Sequence, residues 1–310
     1  MRVLVTGAQG QVGTELIARG KALGFEMLAA GSAELDITQQ AAVAAYVQEQ
    51  SPDIVINAAA YTAVDTAETE QERAFAVNRD GPSHLAKACA ARGIPLLHLS
   101  TDYVFDGALN DGALNGGADA LDTAANSAYR EDDVCRPTGV YGASKREGEC
   151  AVIEQLGQHI ILRVAWVFGE HGQNFVRTML RLGKERSELG VVADQRGAPT
   201  WARDIADVLL GLVAKYSECG DLAWGVYHYV GKSAVSWHGF AEAIFAQAQA
   251  LDMINKVPQV KALTSEQYPT PAQRPKNAVL DCTKIKEVFG IHQADWRIGL
   301  KDVLSQWKQQ

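Results

Sequence analysis

From its first residues the chain alternates short runs of β-branched and other apolar residues with longer stretches of helical spacing. Strand-like runs occupy residues 2–6, 26–29, 53–57 and 95–100, and helical patterns occupy 11–23, 39–50 and 72–91. Such alternation predicts βαβ units and a parallel sheet. Right-handed crossovers then set successive strands side by side with helices on both faces, a doubly wound α/β arrangement whose strand carboxyl ends share one edge. Ligands bind along that edge.

The second half is less regular. Residues 159–166 read as a strand, 175–186 and 204–216 as helices, 225–230 as a strand and 237–249 as a helix. Pro258, Pro269, Pro271 and Pro275 then break up regular structure and predict a smaller, loop-rich lobe. The expected division is a larger unit of residues 1–165 plus about 201–231, and a lobe of about 166–200 and 232–310 that shapes the substrate pocket. One segment departs from this economy: Asp106-Gly107-Ala108-Leu109-Asn110 recurs at once as Asp111-Gly112-Ala113-Leu114-Asn115, and small polar residues continue to about Tyr129. It reads as a mobile surface loop, either a neutral local duplication or a lid over the neighbouring site.

Hydrophobic residues make up 47% and charged residues 21% of the 310, so the chain is expected to fold throughout. A net charge of −8 repels polyanions, and no run of Lys and Arg offers a nucleic-acid or membrane footprint. A small anion therefore needs a local pocket. Cys89, Cys135, Cys150, Cys219 and Cys282 are scattered, odd in number and free of any Cys-x-x-Cys pair, which disfavours a disulfide framework or zinc knuckle and fits a reducing compartment. Met1 leads straight into the first strand pattern, and no stretch approaches the roughly 20 apolar residues of a bilayer span. The expected location is the cytoplasm.

Gly7-Ala8-Gln9-Gly10-Gln11-Val12-Gly13 lies between the first strand and the first helix. An isolated Gly-x-x-Gly-x-x-Gly is more often a turn without a ligand, but at this place it fits a dinucleotide cradle. Gly7 permits the tight turn, Gly10 lets the main chain approach a pyrophosphate, and Gly13 lets the helix pack close to the strand. The helix N-terminus adds free amides and partial positive charge, so an acidic protein can still hold phosphates. At the tip of the second strand stands Gly31-Ser32 rather than Asp or Glu. Without a tip carboxylate there is room for a 2′-phosphate, so NADPH is favoured with NADH also permitted. Asp36 either sits near the adenine, with Ile37 beside it, or caps a helix from Thr38.

Tyr141-Gly142-Ala143-Ser144-Lys145 places Tyr and Lys on one face of a helix expected over residues 141–155. Reduction of a carbonyl by hydride needs a proton donor at the developing alkoxide. Tyr141 can serve if Lys145 stabilises its phenolate. Tyr-x-x-x-Lys alone is common on helix surfaces; here it accompanies the glycine turn and Thr101, which ends the fourth strand and would hold the substrate oxygen beside Tyr141. Ala58, Ala59 and Ala60 close the third strand with side chains small enough for a cofactor to lie against. Asn78 either bonds backbone or organises a water near Lys145.

These residues resemble a known family. Asn57-Ala58-Ala59-Ala60-Tyr61-Thr62-Ala63-Val64-Asp65, Ser100-Thr101-Asp102-Tyr103-Val104-Phe105, Val140-Tyr141-Gly142, Asp194-Gln195-Arg196-Gly197-Ala198-Pro199-Thr200 and Arg274-Pro275 are similar, over nearly the whole chain, to the dTDP-4-dehydrorhamnose reductase family. The glycine turn and Tyr-Lys pair mark only the extended short-chain dehydrogenase/reductase superfamily; the other strings narrow the match. The resemblance implies a Rossmann-type sheet and NADPH- or NADH-dependent reduction of the C4 keto group of dTDP-4-dehydro-L-rhamnose, for bacterial surface polysaccharide. It implies catalytic roles for Tyr141, Lys145 and Thr101, and dinucleotide contacts from Gly7, Gln9, Gly10, Gln11, Val12, Gly13, Asp36, Ile37, Ala58, Ala59, Ala60, Tyr141 and Lys145. Asp102, Val64 and Trp166 match positions near the sugar, although Trp166 serves equally as core packing. Arg274 and Asn277 are candidates for the nucleotide end. Some family members pair through acidic residues and Mg²⁺, for which Glu15 and Glu188 are candidates here; solvated carboxylates are the simpler reading, and no metal site is assigned. A homodimer is compatible with the resemblance.

Three other readings compete. A sugar-nucleotide 4,6-dehydratase commonly places Glu after Thr-Asp, where this chain has Tyr103. A 4-epimerase or another nucleotide-sugar reductase uses the same Tyr-Lys pair. A non-catalytic NADP-binding subunit, similar to the regulatory beta subunit of methionine adenosyltransferase, is the alternative outside enzymology.

Overall fold

The computed structural model describes residues 1–108 and 128–309. The duplicated pentapeptide and its lid-or-duplication reading therefore fall largely outside the described residues. Strands β1 (Arg2–Thr6), β2 (Glu26–Ala30), β3 (Ile54–Asn57), β4 (Leu96–Thr101) and β5 (His159–Val164) form a parallel sheet with the edge strand Gly225–His228. The order runs from that edge strand through β5, β4, β3 and β1 to β2. The chain steps outward from β1 to β2, then crosses back to β3, so the order reverses beside β1 and opens a crevice at the strand carboxyl ends.

Helices cover both faces, which is why the strands are near-continuous apolar runs. Val3, Val5, Ile54, Ile56, Ile160 and Leu162 face one core together with Val12, Leu16, Ile205 and Leu209 from the helices Gln11–Ala22 and Ala202–Cys219. The alternate residues Leu4, Val55, Leu96 and Ile161 face the other, against Val43, Leu85, Cys89 and Val152. A third cluster unites the helices Phe175–Glu185, Trp237–Ala250 and Trp296–Gln309 through Leu180, Phe240, Phe245, Trp296 and Leu300. Alongside runs a parallel pair, Glu188–Val192 with Gln259–Leu263, that the sequence pattern does not announce. Leu280, Cys282 and Ile285 return to the sheet's core, so the chain past residue 232 serves both bodies.

Two elements differ from expectation. The helix over residues 72–91 is broken into Gln71–Phe75, a π-helical turn Ala76–Asp80 and Gly81–Arg92. The widened turn leaves Asn78 buried with its amide turned to other elements, a local geometry that helical periodicity alone does not encode. The fifth strand stops at Val164; Trp166 lies past it with φ of 47°, in the left-handed region where a bulky side chain is rare.

The helix Val140–Gln155 lies unusually close to its neighbours. A Cβ on Gly142 would stand 2.1 Å from the Tyr103 carbonyl oxygen, and one on Gly148 would stand 2.0 Å from that of Asn78. Both obstacles are backbone, which cannot swing aside. Gly148→Ala is therefore expected to lower stability by about 1–3 kcal/mol. Gly157→Ala, whose Cβ would meet nothing within 4 Å, should stay within about 0.5 kcal/mol of the parent in denaturant melts; equal stabilities would refute the close-packing account.

Candidate active site

The glycine turn has the geometry of a phosphate cradle. Gly7 adopts φ of 68°, and a Cβ there would stand 2.5 Å from the Ala59 amide nitrogen. A Cβ on Gly13 would lie 2.1 Å from the Gly7 carbonyl oxygen, so the first turn of the Gln11–Ala22 helix sits directly on β1. Gly10 donates its N–H to Gly7 O at 2.9 Å and is exposed at the helix N-cap without a side-chain cap. The open helix amides and absent side chains fit a dinucleotide pyrophosphate. Gln9 is exposed beside them, Val12 is buried core, and Gln11 accepts a 3.0 Å hydrogen bond from Asn174 Nδ2. That last bond ties the turn to the segment preceding Phe175–Glu185, a link that sequence reading misses.

Across the strand ends runs a buried polar rung. Asn57 Oδ1 accepts from Thr6 Oγ1 at 2.7 Å and from the Ala59 amide at 3.1 Å, and Asn57 Nδ2 lies 3.0 Å from His98 Nδ1. It fixes the tips of β1, β3 and β4 in register and leaves Ala58, Ala59 and Ala60 part-exposed at the crevice. Burial and the nearby Lys145 charge hold His98 well below its ordinary range, so it stays neutral.

At the β2 tip, Glu34 folds back so that its Oε2 accepts from the Gly31 amide at 2.9 Å. Asp36 forms a local turn instead, accepting from the Thr38 amide at 3.0 Å and hydroxyl at 2.8 Å, while the helix starts at Gln40. The Ile37 side chain is buried, and its carbonyl lies 3.0 Å from His84 Nδ1.

Tyr141, Thr101 and Lys145 meet where β4 ends. Thr101 donates its proton to Asp102 Oδ1 at 3.0 Å and accepts from the Tyr103 amide at 3.3 Å. Lys145 is buried and donates to Leu99 O at 2.7 Å. Burial pulls its ammonium down to about 8, opposed by the negative charge of Glu149. Burial likewise pushes the Tyr141 phenol up to about 12, offset by the bond to Thr101. Tyr103 packs edge-on against Tyr141, ring centres 5.4 Å apart, filling the place of a dehydratase glutamate. Burial raises the Asp102 carboxyl to about 7 against the bond from Thr101, and its Oδ2 has no hydrogen-bond partner among the described residues.

Residues distant in sequence hold this helix in place. Glu68 Oε1 accepts from the Val140 amide at 2.9 Å, acting as an N-terminal cap from 72 positions away. Asn78 bonds both the N–H and the C=O of Tyr61, at 2.8 and 3.0 Å, and donates to Ser144 Oγ at 3.1 Å, which settles its backbone role. Glu149 takes both Arg163 nitrogens at 2.8 Å and Arg146 at 2.9 Å. A carboxylate two helical turns beyond the tyrosine was the available signal for Glu149; Glu68 offered none.

The softer assignments fare unevenly. Val64 starts the short helix Val64–Ala67 and is half-buried. Trp166 stacks on Trp237 with ring centres 3.5 Å apart, and Gly197 lies against its indole, so packing occupies it. Arg274 forms a fork with Asp65 at 3.1 and 2.7 Å rather than standing free for a diphosphate. Asn277 is buried, its Oδ1 accepting from the Val279 amide at 3.1 Å. Glu15 is not solvated: it is buried between Arg203 at 3.6 Å and His171 at 3.4 Å, whereas Glu188 forms an exposed pair with Lys261. Among the described residues no group of three His, Cys, Asp or Glu side chains gathers to hold a metal, and Mg²⁺ has no support.

Comparison with known proteins follows the same lines. The family model described as RmlD substrate binding domain matches residues 1–309. The dTDP-4-dehydrorhamnose reductase of Aggregatibacter actinomycetemcomitans is 44% identical, over 97% of this chain and 98% of that protein. The structure of a dTDP-4-dehydrorhamnose reductase from Clostridium acetobutylicum is 35% identical with a TM-score of 0.87, covering 99% of this chain and 100% of the other. That of the Bacillus anthracis enzyme in complex with NADP is 33% identical with a TM-score of 0.86, covering 98% and 99%. With this extent of match the chain belongs to the dTDP-4-dehydrorhamnose reductase family.

Proposed function

We propose that this chain reduces the C4 keto group of dTDP-4-dehydro-L-rhamnose to dTDP-L-rhamnose with NADPH or NADH. The observation that carries the reading is Lys145, buried on the same helix as Tyr141 and donating to Leu99 O near the end of β4, with the Thr101 hydroxyl depressing the Tyr141 phenol and the glycine cradle at the neighbouring strand tip. Bound there, the reduced dinucleotide supplies a hydride to the carbonyl carbon. Tyr141 then delivers its proton to the carbonyl oxygen as the carbon–oxygen double bond becomes an alcohol, and the buried ammonium of Lys145 stabilises the phenolate left behind. Thr101 orients the phenol. The second core, built on Phe175–Glu185 and Trp237–Ala250, is the substrate lobe of this reading.

Glycine-turn main chain, with Gln9, Gln11, Ala58, Ala59 and Ala60 around it, would hold the dinucleotide. Asp102, Val64 and, once released from Asp65, Arg274 would face the nucleotide sugar. A solution enzyme suits this role, and no helix among the described residues is long and apolar enough to cross a membrane.

Tyr141→Phe should lower kcat for the ketone by at least about 100-fold while leaving dinucleotide affinity within a few-fold, as expected for loss of a general acid. Ordinary turnover by that variant would sink the reading. Lys145→Met separates chemistry from folding. In the fold a lysine with pKa about 8 binds fewer protons than the unfolded chain between there and its usual 10.5, so stability rises with pH across that window and is lowest below it. Removing the buried charge should thus hold or raise the melting temperature at pH 7 while turnover falls about 100-fold or more. For the parent, kcat/KM should decline as pH rises through about 8, where the ammonium loses its proton; a flat profile to pH 10 would exclude Lys145 from the chemistry.

A further inference from the structure

We propose that Glu34 is the coenzyme-selecting residue of this chain and favours the dinucleotide without a 2′-phosphate. The inference rests on the reductase reading and deepens it. In this fold the acceptor group at the β2 tip meets the adenosine ribose: a carboxylate accepts from its vicinal hydroxyls and repels a phosphate there. The residue at the tip of β2 is Gly31, which has no side chain to meet the ribose, and the Gln9 carboxamide lies against its α-carbon. The carboxylate comes instead from three positions on. The turn after β2 closes through Leu35 N–H to Gly31 O at 2.9 Å and Glu34 N–H to the same oxygen at 3.2 Å. That turn brings Glu34 Oε2 to 2.9 Å from the Gly31 amide.

One carboxylate oxygen is thereby anchored, and Oε1 forms no hydrogen bond among the described residues, leaving an acceptor at the tip. Residues 31–40 contain no Lys or Arg to receive a phosphate. Lys21 borders the same hollow as Gln9, Gly31 and Glu34; like Glu34 it is exposed, but it forms no side-chain hydrogen bond among the described residues, so it moderates the selection without reversing it. The preference that the bare Gly31-Ser32 tip suggests is thus inverted by a side chain arriving from outside the tip.

The test is equilibrium binding of NAD⁺ and NADP⁺ to the substrate-free protein by calorimetry, for the parent and Glu34→Gln. Glutamine keeps an acceptor for the Gly31 amide and removes the charge. The parent should bind NAD⁺ roughly tenfold more tightly than NADP⁺ at low salt, a ratio that narrows as salt screens the repulsion. In Glu34→Gln the ratio should approach one, chiefly through tighter NADP⁺ binding, with an unchanged melting temperature. A parent that prefers NADP⁺, or a ratio unmoved by the substitution, overturns the role of Glu34 and leaves the reductase reading standing. Failure of the parent to bind either dinucleotide removes both.

Discussion

The site depends on one steric constraint: the backbone of the Val140–Gln155 helix must lie against the backbone of two other segments. Gly142 and Gly148 allow it, since any side chain there would overlap the carbonyls of Tyr103 and Asn78. Only at that separation do Tyr141 and Lys145, one turn apart, come to the end of β4, where Lys145 donates to Leu99 O. The hydrophobic core fixes the sheet, but these contacts decide where the phenol and the ammonium stand.

Placing charge in this interior requires compensation. Glu149 and Arg163 are both almost wholly buried, and each is satisfied by the other in a two-pronged pair, with Arg146 on the first and Cys135 and His228 on the second. The guanidinium also lies over the Phe105 ring at 5.1 Å, and Phe105 stacks on Tyr129 at 4.2 Å. A buried ion pair of this kind contributes little net stability, yet breaking it strands an uncompensated charge, so its neighbours are held in one arrangement. Among the described residues Lys145 has one carbonyl as its hydrogen-bond acceptor and the charge of Glu149, and its depressed pKa reflects burial that these do not offset.

Much was legible from periodicity and punctuation. Alternating strand and helix periods give the parallel sheet, and the glycine turn stands out through its place between the first strand and the first helix. Tyr141 and Lys145 were readable as a pair because helical spacing converts four positions into one face. The cap from Glu68, the clamp by Asn78, the fork between Asp65 and Arg274, and the Gln11–Asn174 tie were not, because each joins side chains far apart along the chain. The partners of Arg274 and Trp166 were equally out of reach of the sequence: the fold sets them against Asp65 and Trp237.

The sequence by itself determined the fold class, the glycine turn between the first strand and first helix, and the facing of Tyr141 and Lys145 on one helix. These follow from local rules: strand and helix periods, glycine's freedom from a Cβ, and the facing of residues one helical turn apart. Tertiary structure alone decided how buried Lys145 is, which carboxylate reaches the β2 tip, where the fifth strand ends, and which polar side chains act as struts. Those outcomes depend on distances between segments and on the water removed from between them, quantities set only when the whole chain has packed.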